Sequence, residues 1–222
     1  MRLTISLLVS LALGTLALDL IQPRTANAEG RVPLRVTADD IGVARLTFND
    51  LLVQSNRASQ RLVAMPGPDE QARAGLGAPL PVAMIRLDRL RAYQPGAPID
   101  GLIDHLNVVL YPVQVDQDVR GEMEFVRQDG SWQAVRVGAS GHAREVARLS
   151  KFQGTPAYLL RVPALGVDFL AYGSAEALRL VLVHAIPGVE LQAGRPLPVH
   201  EVLRVLGPLA RAYRDDLLLP KP

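Results

Sequence analysis

Along residues 106–137, LNVVLYPVQVDQDVRGEMEFVRQDGSWQAVRV, apolar and polar positions alternate with the period of two expected of strands. Two turn-forming stretches, Asp116-Gln117-Asp118 and Asp129-Gly130, divide it into three runs, which predicts an antiparallel meander. A three-residue first loop sets Val115 against Val119, Val113 against Gly121, Tyr111 against Met123 and Val109 against Phe125, all on one face. A two-residue turn at Asp129-Gly130 would mix polar with apolar residues across the second pair. A three-residue turn with a bulge, Gly130 being left-handed, pairs Met123 with Val135 and Gly121 with Val137 inside, and Glu122 with Arg136 outside. A slip of one residue inverts every side chain, so the pattern specifies the register. Pro112 has no N–H to donate, which predicts an unpaired side there, as at a sheet edge.

Elsewhere helical spacing takes over. Ile41, Ala44, Phe48, Leu51, Leu52 and Ser55 predict a helix over 38–58, capped by Thr37, with Asp39 and Asp40 where the helix dipole favours negative charge. Ala143, Val146, Ala147 and Leu149 predict another over 140–152, ended by Gly154, with Arg144, Glu145, Arg148 and Lys151 in solvent. Val199, Val202, Leu203, Leu206, Ala210 and Tyr213 predict a last one, with Pro198 in its first turn and a kink at Pro208. A short amphipathic turn or helix, with Ile99, Leu102, Ile103 and Leu106 on one face, leads into the meander. Runs 82–87, 157–162, 167–172 and 178–185 read as strands, the last three as hairpin partners. Residues 65–81, rich in proline and glycine, read as a long loop, and 215–222 as a fraying tail. Strands arriving in groups predict the α+β class: a curled, mainly antiparallel sheet of about five to seven strands with two to four helices packed on one face.

The first residues change the compartment. Met1-Arg2 is followed by an apolar run over 3–20, broken by a charge only at Asp19, and then by Ala26-Asn27-Ala28. A basic start, an apolar stretch and a small-residue site form the anatomy of a secretory signal peptide, 1–28, cleaved after Ala28. The alternative is a retained anchor, since the run approaches the span of a bilayer. The expected mature chain, 29–222, is a single exported domain, periplasmic or extracellular, with no stable membrane span once the leader is gone. The chain has no cysteine, which excludes lipid attachment behind the leader, disulfides and thiolate chemistry. No twin arginine is present, so the chain is expected to cross unfolded. Without Arg2, Asp19 and Arg24 the mature chain holds 22 basic and 21 acidic residues. That balance argues against nucleic acid as a partner.

Motifs for chemistry are sparse. Neither a Walker loop, a dinucleotide G-x-G-x-x-G nor zinc spacing occurs, so no cofactor or metal is expected. Asp116-Gln117-Asp118 lacks the later ligands of a calcium loop and reads as a turn. Gly138-Ala139-Ser140-Gly141-His142 departs from the G-x-S-x-G elbow; Ser140 reads as a helix cap with His142 in the first turn. His184 continues Leu178, Leu180 and Leu182 at the end of an apolar face, where burial can perturb its proton affinity. His105 neighbours Asp100 and Asp104 without metal-pair spacing, and His200 sits one turn from Arg204 on a solvated face. Trp132, facing Val126 outside in this register, joins Leu110 and Val108 in an apolar strip. Such a strip, or alternatively an open sheet edge, predicts a contact surface for a protein or peptide partner. The expected function is a non-catalytic binding or accessory domain of the bacterial cell envelope, with no catalytic residue assigned. The alternative is a hydrolase pairing His184 or His142 with a carboxylate in a cleft of the sheet.

Overall fold

The computed structural model describes residues 34–54, 69–99, 101–138, 140–187 and 189–213; the expected leader and the tail 215–222 lie outside them. In chain order the elements are α1 (Ala38–Gln54), β1 (Ala74–Leu76), β2 (Leu80–Ile85), α2 (Leu87–Ala92), β3 (Ile103–Val115), β4 (Asp118–Gln128) and β5 (Ser131–Gly138). There follow α3 (Ser140–Gln153), β6 (Tyr158–Val162), β7 (Val167–Tyr172), β8 (Arg179–Leu182), β9 (Pro196–Pro198) and α4 (Val199–Ala212). Nine strands form one unclosed sheet in the order β5-β4-β3-β2-β6-β7-β8-β9, with β1 also on β3. Among the described strands only β2 and β6 pair in parallel. The strand count exceeds the expectation because two three-residue strands form without apolar alternation: β1 inside the proline- and glycine-rich stretch, and β9 just before α4.

The meander forms with Val109 opposite Phe125, Tyr111 opposite Met123 and Val113 opposite Gly121, as the pattern predicts. Both tips differ from the predicted loops. Asp116 and Gln117 have φ of 49° and 74°, and Asp129 and Gly130 have φ of 50° and 81°. Each pair is therefore a two-residue turn with both residues left-handed, the type I′ geometry that matches strand twist. Bulges supply the phase that longer loops were expected to supply. Val113 pairs with Gly121 but Gln114 with Val119, leaving Arg120 over. Glu124 pairs with Arg136 but Phe125 with Ala134, leaving Val135 over. Val135 thus drops out of the interior and is 57% exposed, while Met123 faces Val137 and Glu122 faces Gly138.

Pro112 lies in mid-sheet, contrary to expectation. Its carbonyl accepts the Gly77 N–H at 2.8 Å, so its nitrogen turns toward the break between β1, which reaches Val113, and β2, which begins at Leu110. A missing donor is harmless at that gap. Gly101 and Leu102 lie in the expected turn, closed by the Leu102 N–H to the Ile99 carbonyl at 3.0 Å, and Ile103 already belongs to β3; the predicted strand end at residue 87 is instead the first residue of α2.

Helices cover both faces of the sheet, not one. On the first face, Ala44, Phe48 and Leu52 of α1 pack on Val109, Tyr111, Met123 and Phe125. Farther along that face, Leu90 of α2 and Val202, Leu203 and Leu206 of α4 pack on Ile85, Leu160, Phe169 and Leu180. On the opposite face, Val146 and Leu149 of α3 pack on Leu110, Leu159, Leu170 and Val181. Adjacent residues of β6, β7 and β8 divide between the two sides, as pleating requires. The α1 start is a capping box: Thr37 Oγ1 accepts the Asp40 N–H at 3.2 Å, and Asp40 Oδ2 accepts the Thr37 N–H at 2.8 Å. The end predicted at residue 58 lies outside the described residues. Gly154, at φ 87°, ends α3 as expected. Among the described residues no helix is long and apolar enough to cross a membrane.

Candidate functional site

Residues Glu122, Met123, Glu124 and Phe125 of β4 alternate across the sheet. Met123 and Phe125 enter the core beneath α1, which sends both glutamates to the α3 side. There they are buried, at 2% and 7% exposure, and such burial is tolerated only with partners. The partners form a closed circuit. Arg136 donates to Glu122 Oε1 at 2.7 Å and to Glu124 Oε1 at 2.6 Å. Arg161 of β6 donates to the same Glu124 oxygen and lies 3.9 Å from Asp168 of β7. His142, in the first turn of α3, completes it, with Nδ1 2.8 Å from Glu122 Oε2 and Nε2 3.0 Å from Asp168 Oδ2. The Nε2 contact lies off the hydrogen-bonding direction, so it is a close ion pair and not an aligned bond.

Three carboxylates, two guanidiniums and one imidazole balance when the imidazole is protonated, and the surroundings favour that form. Burial alone would lower the His142 proton affinity, but Asp168 and Glu122 more than reverse it and raise the pKa to about 9. Burial likewise pushes the Glu124 carboxyl up, and Arg161 with Arg136 outweighs this, holding it below its ordinary value. A cation at the N-terminus of a helix opposes the helix dipole, so these carboxylates also stabilise the start of α3.

The predicted contact residues do not form one strip. Val108, Leu110 and Val126 lie on the α3 side, with Leu110 fully buried and the other two half-buried. Trp132 packs on the α1 side, opposite Arg127, because the two-residue turn shifts it by one. Its Nε1 donates to Asp40 Oδ1 at 2.5 Å, and the Arg127 guanidinium lies 5.9 Å from its ring. Among the histidines, His142 and His184 come together, with ring centroids 5.8 Å apart. His184 is exposed: β8 stops at Leu182 and the chain bends away before it, so the alternation does not reach it. His105 stacks edge-on against Tyr158, and burial lowers its pKa. His200 Nδ1 lies 2.9 Å from the Tyr93 hydroxyl. Among the described residues no group of three His, Cys, Asp or Glu side chains is disposed to hold a metal ion.

Sequence reasoning sets Glu122 with Arg136 on an outer face but does not single out Glu124, Arg161 or Asp168. A signal existed. The runs Tyr158-Leu159-Leu160, Phe169-Leu170-Ala171 and Leu180-Val181-Leu182 do not alternate, which marks strands covered on both faces. A second covered face implies that polar residues facing it are paired.

Comparisons with protein-family models, with curated proteins and with solved structures give no match. Function is therefore read from the site itself.

Proposed function

We propose that the chain is an exported, non-catalytic domain of the bacterial cell envelope that binds a protein or peptide partner. The observation that carries this reading is the placement of His142 between Glu122 and Asp168. An imidazolium facing a carboxylate at each nitrogen has no lone pair with which to take a proton, so the histidine best placed for catalysis is a structural cation. The surface we assign to the partner is the outer edge of β5, which among the described strands pairs only with β4 and carries exposed Val135. Unpaired backbone groups there suit addition of an extended peptide strand.

The test is a photo-crosslinking residue placed at Val135 in the full chain expressed in cells, with one at Arg204 as control. A discrete envelope adduct specific to Val135, together with a native N-terminus at Glu29, is the expected result. Adducts equal at both positions would overturn the β5 assignment, and a retained leader would overturn export by cleavage.

The approach of His184 to His142 favours a second reading, a hydrolase with His184 as base and Asp168 among its carboxylates. A hydrolytic turnover abolished by His184→Gln would establish it over the first.

A further inference from the structure

The tip of the β3–β4 hairpin and one stripe of α3 flank an open cleft of about 410 Å³, lined by Gln117, Asp118, Arg120, Arg144, Arg148 and Lys151 among others. Positions 144, 148 and 151 follow at helical spacing, so three cations of α3 face the tip together. Arg120 comes from the opposite wall; it is the residue left over at the bulge, and bulges commonly re-aim a side chain. Their charges are unevenly satisfied. Arg148 is held at both ends by Glu145, at 2.9 and 2.5 Å, and Arg120 reaches Glu70 at 3.1 Å. Among the described residues Arg144 donates only to a neutral acceptor, the Val119 carbonyl at 3.2 Å, and Lys151 makes no ion pair. Arg120 Nε is buried with no hydrogen-bond acceptor among the described residues.

We propose that this cleft binds the phosphate group of a small organic phosphate, with Arg144 and Lys151 as its principal contacts and Arg120 closing the far wall. A guanidinium fork beside an ammonium matches a tetrahedral anion with several acceptor oxygens, and the volume is that of a small-ligand site. Asp118 repels a bare anion at the same wall, so the ligand carries hydroxyl groups that donate to this carboxylate. A sugar phosphate or a glycerophosphate has that chemistry, either free or as a lipid headgroup. This goes beyond the partner surface at β5 and does not depend on it.

The experiment titrates the full chain, in the form that cells retain, with glycerol 3-phosphate, with sodium sulfate at matched ionic strength, and with phosphatidylglycerol or phosphatidylcholine vesicles. Amide and arginine side-chain NMR signals report the soluble ligands, and sedimentation reports the vesicles. The expected result is saturable shifts confined to residues 117–120 and 144–151 with glycerol phosphate, weaker with sulfate. The variant R144Q/K151Q, both exposed positions, should lose about tenfold or more in affinity while its melting temperature stays put. Binding to phosphatidylglycerol vesicles alone, lost in the same variant, supports the headgroup source; binding to glycerol phosphate alone supports the free one. Shifts unaffected by R144Q/K151Q, equal shifts with sulfate, or no binding in any arm would overturn the proposal, and none of these would bear on crosslinking at Val135.

Discussion

Glu122 and Gly138 stand directly opposite each other on β4 and β5, and the missing side chain of Gly138 is what gives the Glu122 carboxylate its place. A Cβ at Gly138 would lie 2.7 Å from both Cγ and Oε1 of Glu122. That carboxylate cannot swing aside freely, because Arg136 holds one oxygen and His142 the other. Gly138→Ala should therefore strain the buried circuit and destabilise the fold by about 1–3 kcal/mol. Urea unfolding measures this, and an unchanged midpoint would show that Glu122 has room to move.

His142 makes stability depend on pH in a window of its own. Its folded-state pKa, about 9, lies above the ordinary 6.5 of an unfolded imidazole. Its contribution is then complete below the unfolded value, shrinks as pH rises between the two, and is gone above the folded one. The difference in unfolding free energy between the native chain and His142→Gln should fall by an amount on the order of 3 kcal/mol between about pH 6 and pH 10. A difference flat across that range would mean that the imidazole is neutral and the circuit carries a net negative charge.

Glu124 sits between Arg136 and Arg161, and removing it leaves Arg161 with only the weaker attraction of Asp168, 3.9 Å away, and of Glu122. Glu124→Leu should cost about 3–5 kcal/mol, the usual penalty for leaving a buried charge uncompensated. Adding Arg161→Met to that variant should recover a large part of the loss, because the second substitution removes the orphaned charge. Additive losses in the double-mutant cycle would show that water already solvates Arg161.

The same four residues of β4 separate what the sequence shows from what it hides. Alternation of Glu122, Met123, Glu124 and Phe125 is visible, and it correctly pairs Tyr111 with Met123 and Val109 with Phe125. It cannot say that the polar side is roofed, because α3 meets that side through contacts distant in sequence. Bulges at Arg120 and Val135 are hidden for another reason. A bulge changes the phase of a strand without a residue type that announces it, and alternation alone puts the phase error at Val135 down to the turn. Trp132 followed that error to the wrong face. Thr37 was legible as a cap because capping depends on residues a few positions apart, but the link from Asp40 to Trp132 joins residues far apart in sequence.

Asp40 ties α1 to β5 through that link, since one carboxylate accepts from Thr37 and from the Trp132 indole. The indole bond is the largest influence holding the Asp40 pKa below its ordinary value. Asp40→Ala should destabilise the fold by about 1–2 kcal/mol through the lost cap, and Trp132 fluorescence should change in the folded state. A depressed folded pKa stabilises above the unfolded carboxylate range and loses that effect as pH falls, so the variant should be less sensitive than the native chain to acid below about pH 4. A native acid transition in Asp40→Ala would place the acid-labile contacts elsewhere.

Gln117 carries the least favourable backbone of the two turns, a long side chain at φ 74° where the equivalent residue of the second turn is Gly130. The left-handed region costs a residue with a Cβ about 1–2 kcal/mol, and glycine's extra freedom in the unfolded chain offsets roughly 0.5–1 kcal/mol of the gain from removing it. Gln117→Gly should then stabilise the fold by about 0.5–1 kcal/mol, seen as a higher urea midpoint with the same slope. Because Gln117 also lines the basic cleft, the variant separates two roles of the turn. Stability that rises while glycerol phosphate affinity falls would mean that the strained glutamine is kept for its contact in the cleft. Lower stability would mean that its side chain already holds the hairpin tip against α3.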